Sequence, residues 1–128
     1  MHICRVAERR SVVDMKAVVV REPGDASVLQ LAEVDDPVAA DGEVVIDVTA
    51  AGVNRADVAQ RQGVYPSPAG SPPWPGLEVS GVVASLGPGA ASAGFAVGDP
   101  VCALLGGGGY AERVAVPVGQ VLPVPTGV

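Results

Sequence analysis

Histidine, cysteine and basic residues are scarce in this chain of 128 residues, and each shortage closes off a class of function. A catalytic zinc takes three protein ligands from His, Cys and carboxylates. The single histidine is His2, Cys4 and Cys102 lie far apart with no CxxC pair, and the acids are scattered singly. These counts predict no metal site and exclude a disulfide scaffold, and they suit a reducing, cytoplasmic setting. Cys102, inside an apolar run, reads as a small core hydrophobe. From Met15 onward the only bases are Lys16, Arg21, Arg55, Arg61 and Arg113, against twelve acids, and the whole chain carries −6. No basic stripe for nucleic acid or for an anionic membrane face can be built from them. Long apolar runs are missing too. Hydrophobic residues make up 48% of the chain, but Gly and Pro break them into pieces far short of the ~20 residues of a transmembrane helix. A soluble protein without nucleic-acid or membrane partners is expected.

The length suits one domain. Residues 1–14 show no helical or strand period. Their basic start mimics a signal peptide but lacks the apolar segment that should follow. They read as a disordered extension or a mis-called start, because Met15 opens a clean strand over 16–21. A Pro-Gly turn at 22–25 leads to a second strand at 28–34, closed by Asp35-Asp36-Pro37. The clearest alternation follows: Val44, Ile46, Val48 and Ala50 face one way, and Glu43, Asp47 and Thr49 the other, joined by Val45. Residues 66–76 carry five prolines and two glycines and predict a stiff loop. Strands are expected at 78–86, 101–105, 110–116 and 121–124, with a small-residue loop at 90–97. Short strands separated by turn signals indicate a mainly β barrel or sandwich.

One polar stretch interrupts this framework, from Gly52 to Pro66. Asn54 is a good N-cap, because its amide oxygen can accept from orphan backbone N–H groups. Asp57 sits in the first turn, where a negative side chain suits the helix dipole. Gly63 can take the left-handed conformation that ends a helix, and Pro66 prevents its resumption. A short helix carrying Asn54, Arg55, Asp57 and Arg61, with Tyr65 just beyond, is the place to look for chemistry. Arg61 itself reads as a solvated side chain. The run Gly106-Gly107-Gly108-Gly109-Tyr110-Ala111 formally fits G-x-G-x-x-A, yet β-branched residues and Pro117 follow where a dinucleotide fingerprint needs a helix. A hairpin loop is expected there instead.

The pattern Pro75-Gly76-Leu77-Glu78-Val79-Ser80-Gly81-Val82-Val83, followed by Gly98-Asp99-Pro100-Val101, resembles the catalytic domain of medium-chain dehydrogenases/reductases. Asn54-Arg55-Ala56-Asp57 with Gln60-Arg61-Gln62-Gly63 and Tyr65, and Gly107-Gly108-Gly109-Tyr110-Ala111-Glu112, is similar to their zinc-free quinone oxidoreductase branch, of the p53-inducible type. The resemblance covers residues 15–128. It implies a GroES-like, partly open β-barrel with one or two short helices, forming the substrate side of an active site. Zinc-dependent members place Cys at the position of Asn54 and His at that of Leu77; here only the following acid, Glu78, is kept, so the resemblance implies no zinc. Members continue past the position of Val128 into a Rossmann domain that binds NADPH or NADH, an element residues 1–128 do not contain, and the full-length proteins are expected to be homodimers.

The implied activity is hydride transfer from NAD(P)H to a quinone, in which the cofactor carries the hard step and the protein orients and stabilises. Tyr65 and Asn54 are the candidate catalytic residues: Tyr65 to donate and relay a proton, Asn54 to hold the nicotinamide or the substrate carbonyl. Asn54, Arg55 and Asp57 are the candidate cofactor contacts, with Asp57 and Arg55 alternatively holding the corner together. Glu78 reads as a partner for backbone or Arg groups, and Trp74 as either a pocket wall or packing for the proline loop. An enone or carbonyl reductase of the same branch and a non-catalytic GroES-like interaction module are the competing readings. Residues 1–128, without the Rossmann domain, are expected to be inactive alone.

Overall fold

Two nine-residue strands free of proline form the middle of the molecule. β3 (Glu43–Ala51) and β4 (Glu78–Leu86) pair antiparallel. β6 (Arg113–Pro117) adds to β3, and β5 (Pro100–Leu104) followed by β7 (Val121–Pro123) adds to β4, giving the order β6-β3-β4-β5-β7. β1 (Met15–Val20) and β2 (Leu29–Val34) form a separate antiparallel pair. One helix is present among the described residues, α1 (Arg55–Arg61), with short 3-10 turns at Ala26–Val28, Ala90–Ala93 and Val118–Gln120. The fold is mainly β, a curled half-barrel with a single helix. This computed structural model describes residues 14–128, so the expectation for residues 1–14 lies, apart from Asp14, outside the described residues.

The core is contributed mainly by the strands of the large sheet and is built mostly from β-branched residues. Val44, Ile46, Val83, Val101 and Val116 are completely or almost completely buried, and Val79, Val114 and Val121 complete the cluster. Stiff branched side chains suit a pleated surface, and each contributes about 1.5–3 kcal/mol by leaving water. Phe95, from the loop after β4, packs on the rim.

Glu112 joins the two sheets. Its N–H donates to the Lys16 carbonyl (3.0 Å), its own carbonyl accepts from Val48 N–H (2.9 Å), and its carboxylate accepts from Lys16 N–H (2.7 Å). Ala111 bridges to Ala17 beside it.

Several expectations change. Val44, Ile46 and Val48 do face the core, but Ala50 is exposed and Ala51 packs inward. The cause is a register shift against β4: Val48 pairs with Gly81 and Ala50 with Ser80, so Thr49 is an extra residue that reverses the alternation. Gly81 sits at this close approach; a Cβ built there would lie 1.9 Å from the Asp47 carbonyl oxygen. The glycine run 106–109 is not a hairpin loop, because β5 and β6 on either side of it are not neighbours. It is a crossover laid on the proline loop: Gly108 N–H donates to Trp74 O (2.9 Å), Gly109 N–H to Gly76 O (3.0 Å) and Tyr110 N–H to Pro75 O (3.0 Å). The strand expected at 110–116 starts only at Arg113, since Tyr110 and Ala111 are engaged with β1 and the loop.

Candidate active site

The polar stretch forms the expected helix. Asn54 is its N-cap, with extended φ and ψ of −119° and 157°, and Gly63 follows the C-cap Gln62 with φ +81°. The capping differs in detail from the expectation. The Asn54 amide oxygen faces the Asp57 N–H in capping-box fashion without reaching hydrogen-bond geometry. The reciprocal half is strong: Asn54 N–H donates to Asp57 Oδ2 at 2.7 Å. The Asn54 side chain turns outward, and its Nδ2 donates to Glu78 Oε1 at 3.1 Å. Gly52 makes room for this pair, since a Cβ there would lie 2.1 Å from Glu78 Oε1.

Asp57 is the one buried charged residue among those described, at 5% exposure. Its carboxylate accepts three hydrogen bonds from three segments: from Asn54 N–H and from the Tyr110 hydroxyl (2.9 Å) on Oδ2, and from Gly76 N–H (3.1 Å) on Oδ1. The ion pairs among the described residues, Arg113 with Asp36 and Asp47, lie elsewhere. Neutral donors alone therefore stabilise this buried anion, and charge-assisted bonds of this kind are the strong ones. Asp57 stands almost wholly behind the surface, as the support of the corner.

In front of it, Asn54, Arg55, Ala56, Leu77, Glu78 and Leu104 line a cleft of about 350 Å³. Through Glu78 and Leu104 it continues into an apolar groove of about 510 Å³, floored by Ala50, Ala51 and Ala103 and edged by Leu122. Arg55 is exposed at the cleft. Tyr65 is not there. It lies past the far end of α1, exposed, on a separate cleft with Val20, Pro23, Gln60 and Pro73. The structure thus joins Asn54, Arg55 and Glu78, and places Tyr65 apart from them.

Arg61 is half-buried instead of solvated: its Nη1 donates to the Gly24 carbonyl (2.7 Å) while Gly24 N–H donates back to the Arg61 carbonyl (3.1 Å), locking the helix to the turn after β1. Gln60 fastens the proline loop through Ser67 Oγ (2.7 Å) and the Pro73 carbonyl. Trp74 packs that loop, with Nε1 donating to the Gly108 carbonyl (3.0 Å).

The sequence pattern alone gives Tyr110 no role. Burial and the adjacent Asp57 carboxylate push its hydroxyl up to about 12, so it remains a protonated donor. The signal that points to it is indirect: a buried acid in a chain with few bases must find hydroxyl or backbone donors.

Asn54, Leu77 and Glu78, the positions at which the resemblance implies ligands in zinc-dependent members, line this cleft together as an amide, an isobutyl group and one carboxylate. That donor set does not fit zinc. Among the described residues no group of three His, Cys, Asp or Glu is placed to hold a metal ion.

The fold is that of a GroES-like domain. The alcohol dehydrogenase GroES-like domain model matches residues 40–126, and the chain belongs to that family. Its relatives are VAT-1-like proteins and quinone oxidoreductases of the medium-chain dehydrogenase/reductase superfamily. The human synaptic vesicle membrane protein VAT-1 homolog-like is 38% identical over 112 residues, 88% of this chain and 26% of that protein. A crystal structure of the human protein of that name superposes with a TM-score of 0.81 at 36% identity, over 90% of this chain and 37% of that one. Rat quinone oxidoreductase is 35% identical over 113 residues, 87% of this chain and 34% of the enzyme. A mycobacterial protein solved in complex with NADPH gives a TM-score of 0.77 at 35% identity, over 89% of this chain and 33% of that one. The chain thus spans about a quarter to a third of the length of these relatives. No helix among the described residues is long and apolar enough to cross a membrane.

Proposed function

We propose that this chain forms the substrate side of an NAD(P)H-dependent, zinc-independent quinone oxidoreductase. The observation that carries the reading is the junction of a polar cleft with an apolar groove at Glu78 and Leu104. A quinone is a flat apolar ring bearing carbonyl oxygens, and such a junction suits both parts. The likeness to rat quinone oxidoreductase adds to it.

A reduced nicotinamide, NADPH or NADH, supplies the hydride when bound. The Asn54 amide has two N–H donors; Glu78 takes one, which leaves the other free to point at a quinone oxygen where negative charge develops. Arg55, on the same rim, brings a positive charge to that oxygen or to the cofactor. Asp57 holds Asn54 in place from behind. The proposal keeps Tyr65 as a proton donor only for a substrate long enough to reach its separate cleft past the far end of α1, and Tyr65→Phe decides it. In the same proposal the whole protein is a cytoplasmic homodimer.

The test joins this chain at Val128 to the Rossmann domain of a relative and follows NAD(P)H oxidation with a quinone or an enone as acceptor. The chain alone should be inactive and the joined protein should reduce the quinone. Tyr65→Phe should lower kcat about tenfold, or ~1.4 kcal/mol, with KM for the nicotinamide little changed. Full turnover in that variant makes Tyr65 a loop anchor. Enone turnover without quinone turnover would assign the site to enones, and no turnover with either would leave a non-catalytic module.

A further inference from the structure

We propose that Tyr110 is a positioning residue of the Asn54–Glu78 cleft, acting through the carboxylate of Asp57. The inference rests on the functional reading above only for its consequence in turnover; the geometry stands without it. Tyr110 is held at both ends of its own backbone: its N–H donates to the Pro75 carbonyl and its carbonyl accepts from Val18 N–H at 2.8 Å. Its hydroxyl is therefore delivered to Asp57 from a fixed frame joining β1 to the proline loop. The other two donors to Asp57 are Asn54 itself and Gly76, which directly precedes Leu77 and Glu78. One carboxylate thus ties the two walls of the cleft to one reference point, and Tyr110 fixes that point.

A purely structural filler at this place would more naturally be apolar. A buried anion with only neutral donors is costly, and a well-packed hydrophobic replacement is often as stable or more so. What a fully satisfied polar network adds is a single geometry. Here that geometry sets the direction of the Asn54 amide toward Glu78. Sharing Oδ2 between Asn54 N–H and the Tyr110 hydroxyl couples the two directly. Without the hydroxyl, the carboxylate is free to rotate toward its remaining donors, and the Asn54 backbone and side chain follow.

Nuclear magnetic resonance on the 128-residue chain tests this without any assay of activity. In the unaltered protein, the Tyr110 hydroxyl proton should exchange slowly and show a nuclear Overhauser effect to the Asn54 backbone amide. In Tyr110→Phe, the Asn54 backbone and Nδ2 resonances should shift, and the backbone amide should exchange roughly tenfold faster, as for one lost hydrogen bond. Val116→Ala, which loosens the core on another strand, should leave the Asn54 signals in place. Asn54 signals unmoved in Tyr110→Phe, or moved equally by Val116→Ala, would overturn the proposal. Should Tyr110→Phe not fold, the hydroxyl proton of the unaltered protein decides, and its absence overturns the proposal as well. In the joined enzyme, the variant should lower kcat more than it raises the KM for nicotinamide. If the joined enzyme reduces no quinone while the Asn54 signals respond as expected, the functional reading fails and the positioning role stands.

Discussion

Replacing Asp57 by Asn keeps the shape of the side chain and removes its charge, and the structure indicates what that costs. The better of the two amide orientations puts the Asn oxygen where Oδ2 now accepts from Asn54 N–H and the Tyr110 hydroxyl. The new NH₂ group then faces the Gly76 N–H, donor against donor. Two bonds lose their charge assistance, at about 1 kcal/mol each, and one buried N–H is left unpaired, at about 1–3 kcal/mol. Burying a neutral amide instead of an anion returns part of this. The expected net loss is about 2–3 kcal/mol, or roughly 8–15 °C in Tm for a domain of this size. Urea denaturation, followed through the fluorescence of Trp74, the sole tryptophan, measures it directly. A loss within about 0.5 kcal/mol of zero, the range of ordinary surface substitutions, would refute the view of Asp57 as the support of the corner.

Three further outcomes are expected. Gly81→Ala should cost more than about 3 kcal/mol or prevent folding, because its Cβ would collide with the Asp47 carbonyl in the paired strand; soluble protein with an unchanged melting curve would contradict the β3–β4 register. Tyr110 ionises near 10 when unfolded and at about 12 when folded, so the folded state holds the proton more tightly. That stabilisation is complete below pH 10 and is lost as the pH rises through 12; the alkaline decline between these values should be shallower in Tyr110→Phe, as melting curves will record. Elemental analysis of the purified chain should find no stoichiometric zinc, and one tightly held zinc per chain would contradict the reading of Asn54, Leu77 and Glu78.

The strands were legible because their apolar residues alternate or run together between Gly and Pro, and α1 because Asn54, Asp57 and Gly63 mark both of its ends. The failures have local causes. A single extra residue, Thr49, reversed the facing of Ala50, and a bulge leaves no mark in a run of small residues. The glycine run suggests a hairpin in the sequence because turn residues report a turn and not which strands it connects. Arg61 looks solvated in the sequence because its partner, the Gly24 carbonyl, is a backbone group 37 positions away.

The same division holds for the candidate site. Composition and motif spacing by themselves determined that the chain is mainly β, that it is poor in metal ligands, and that Asn54, Arg55 and Asp57 share one helical corner; these depend on residue type and short-range periodicity, which a sequence records. Only the tertiary structure decided that Asp57 faces inward to three donors while Asn54 turns outward to Glu78, that Tyr110 completes the network, and that Tyr65 stands apart. The network depends on contacts between segments 19, 24 and 53 positions apart. Burial makes them obligatory, because a carboxylate removed from water must be met by donors wherever in the chain they lie.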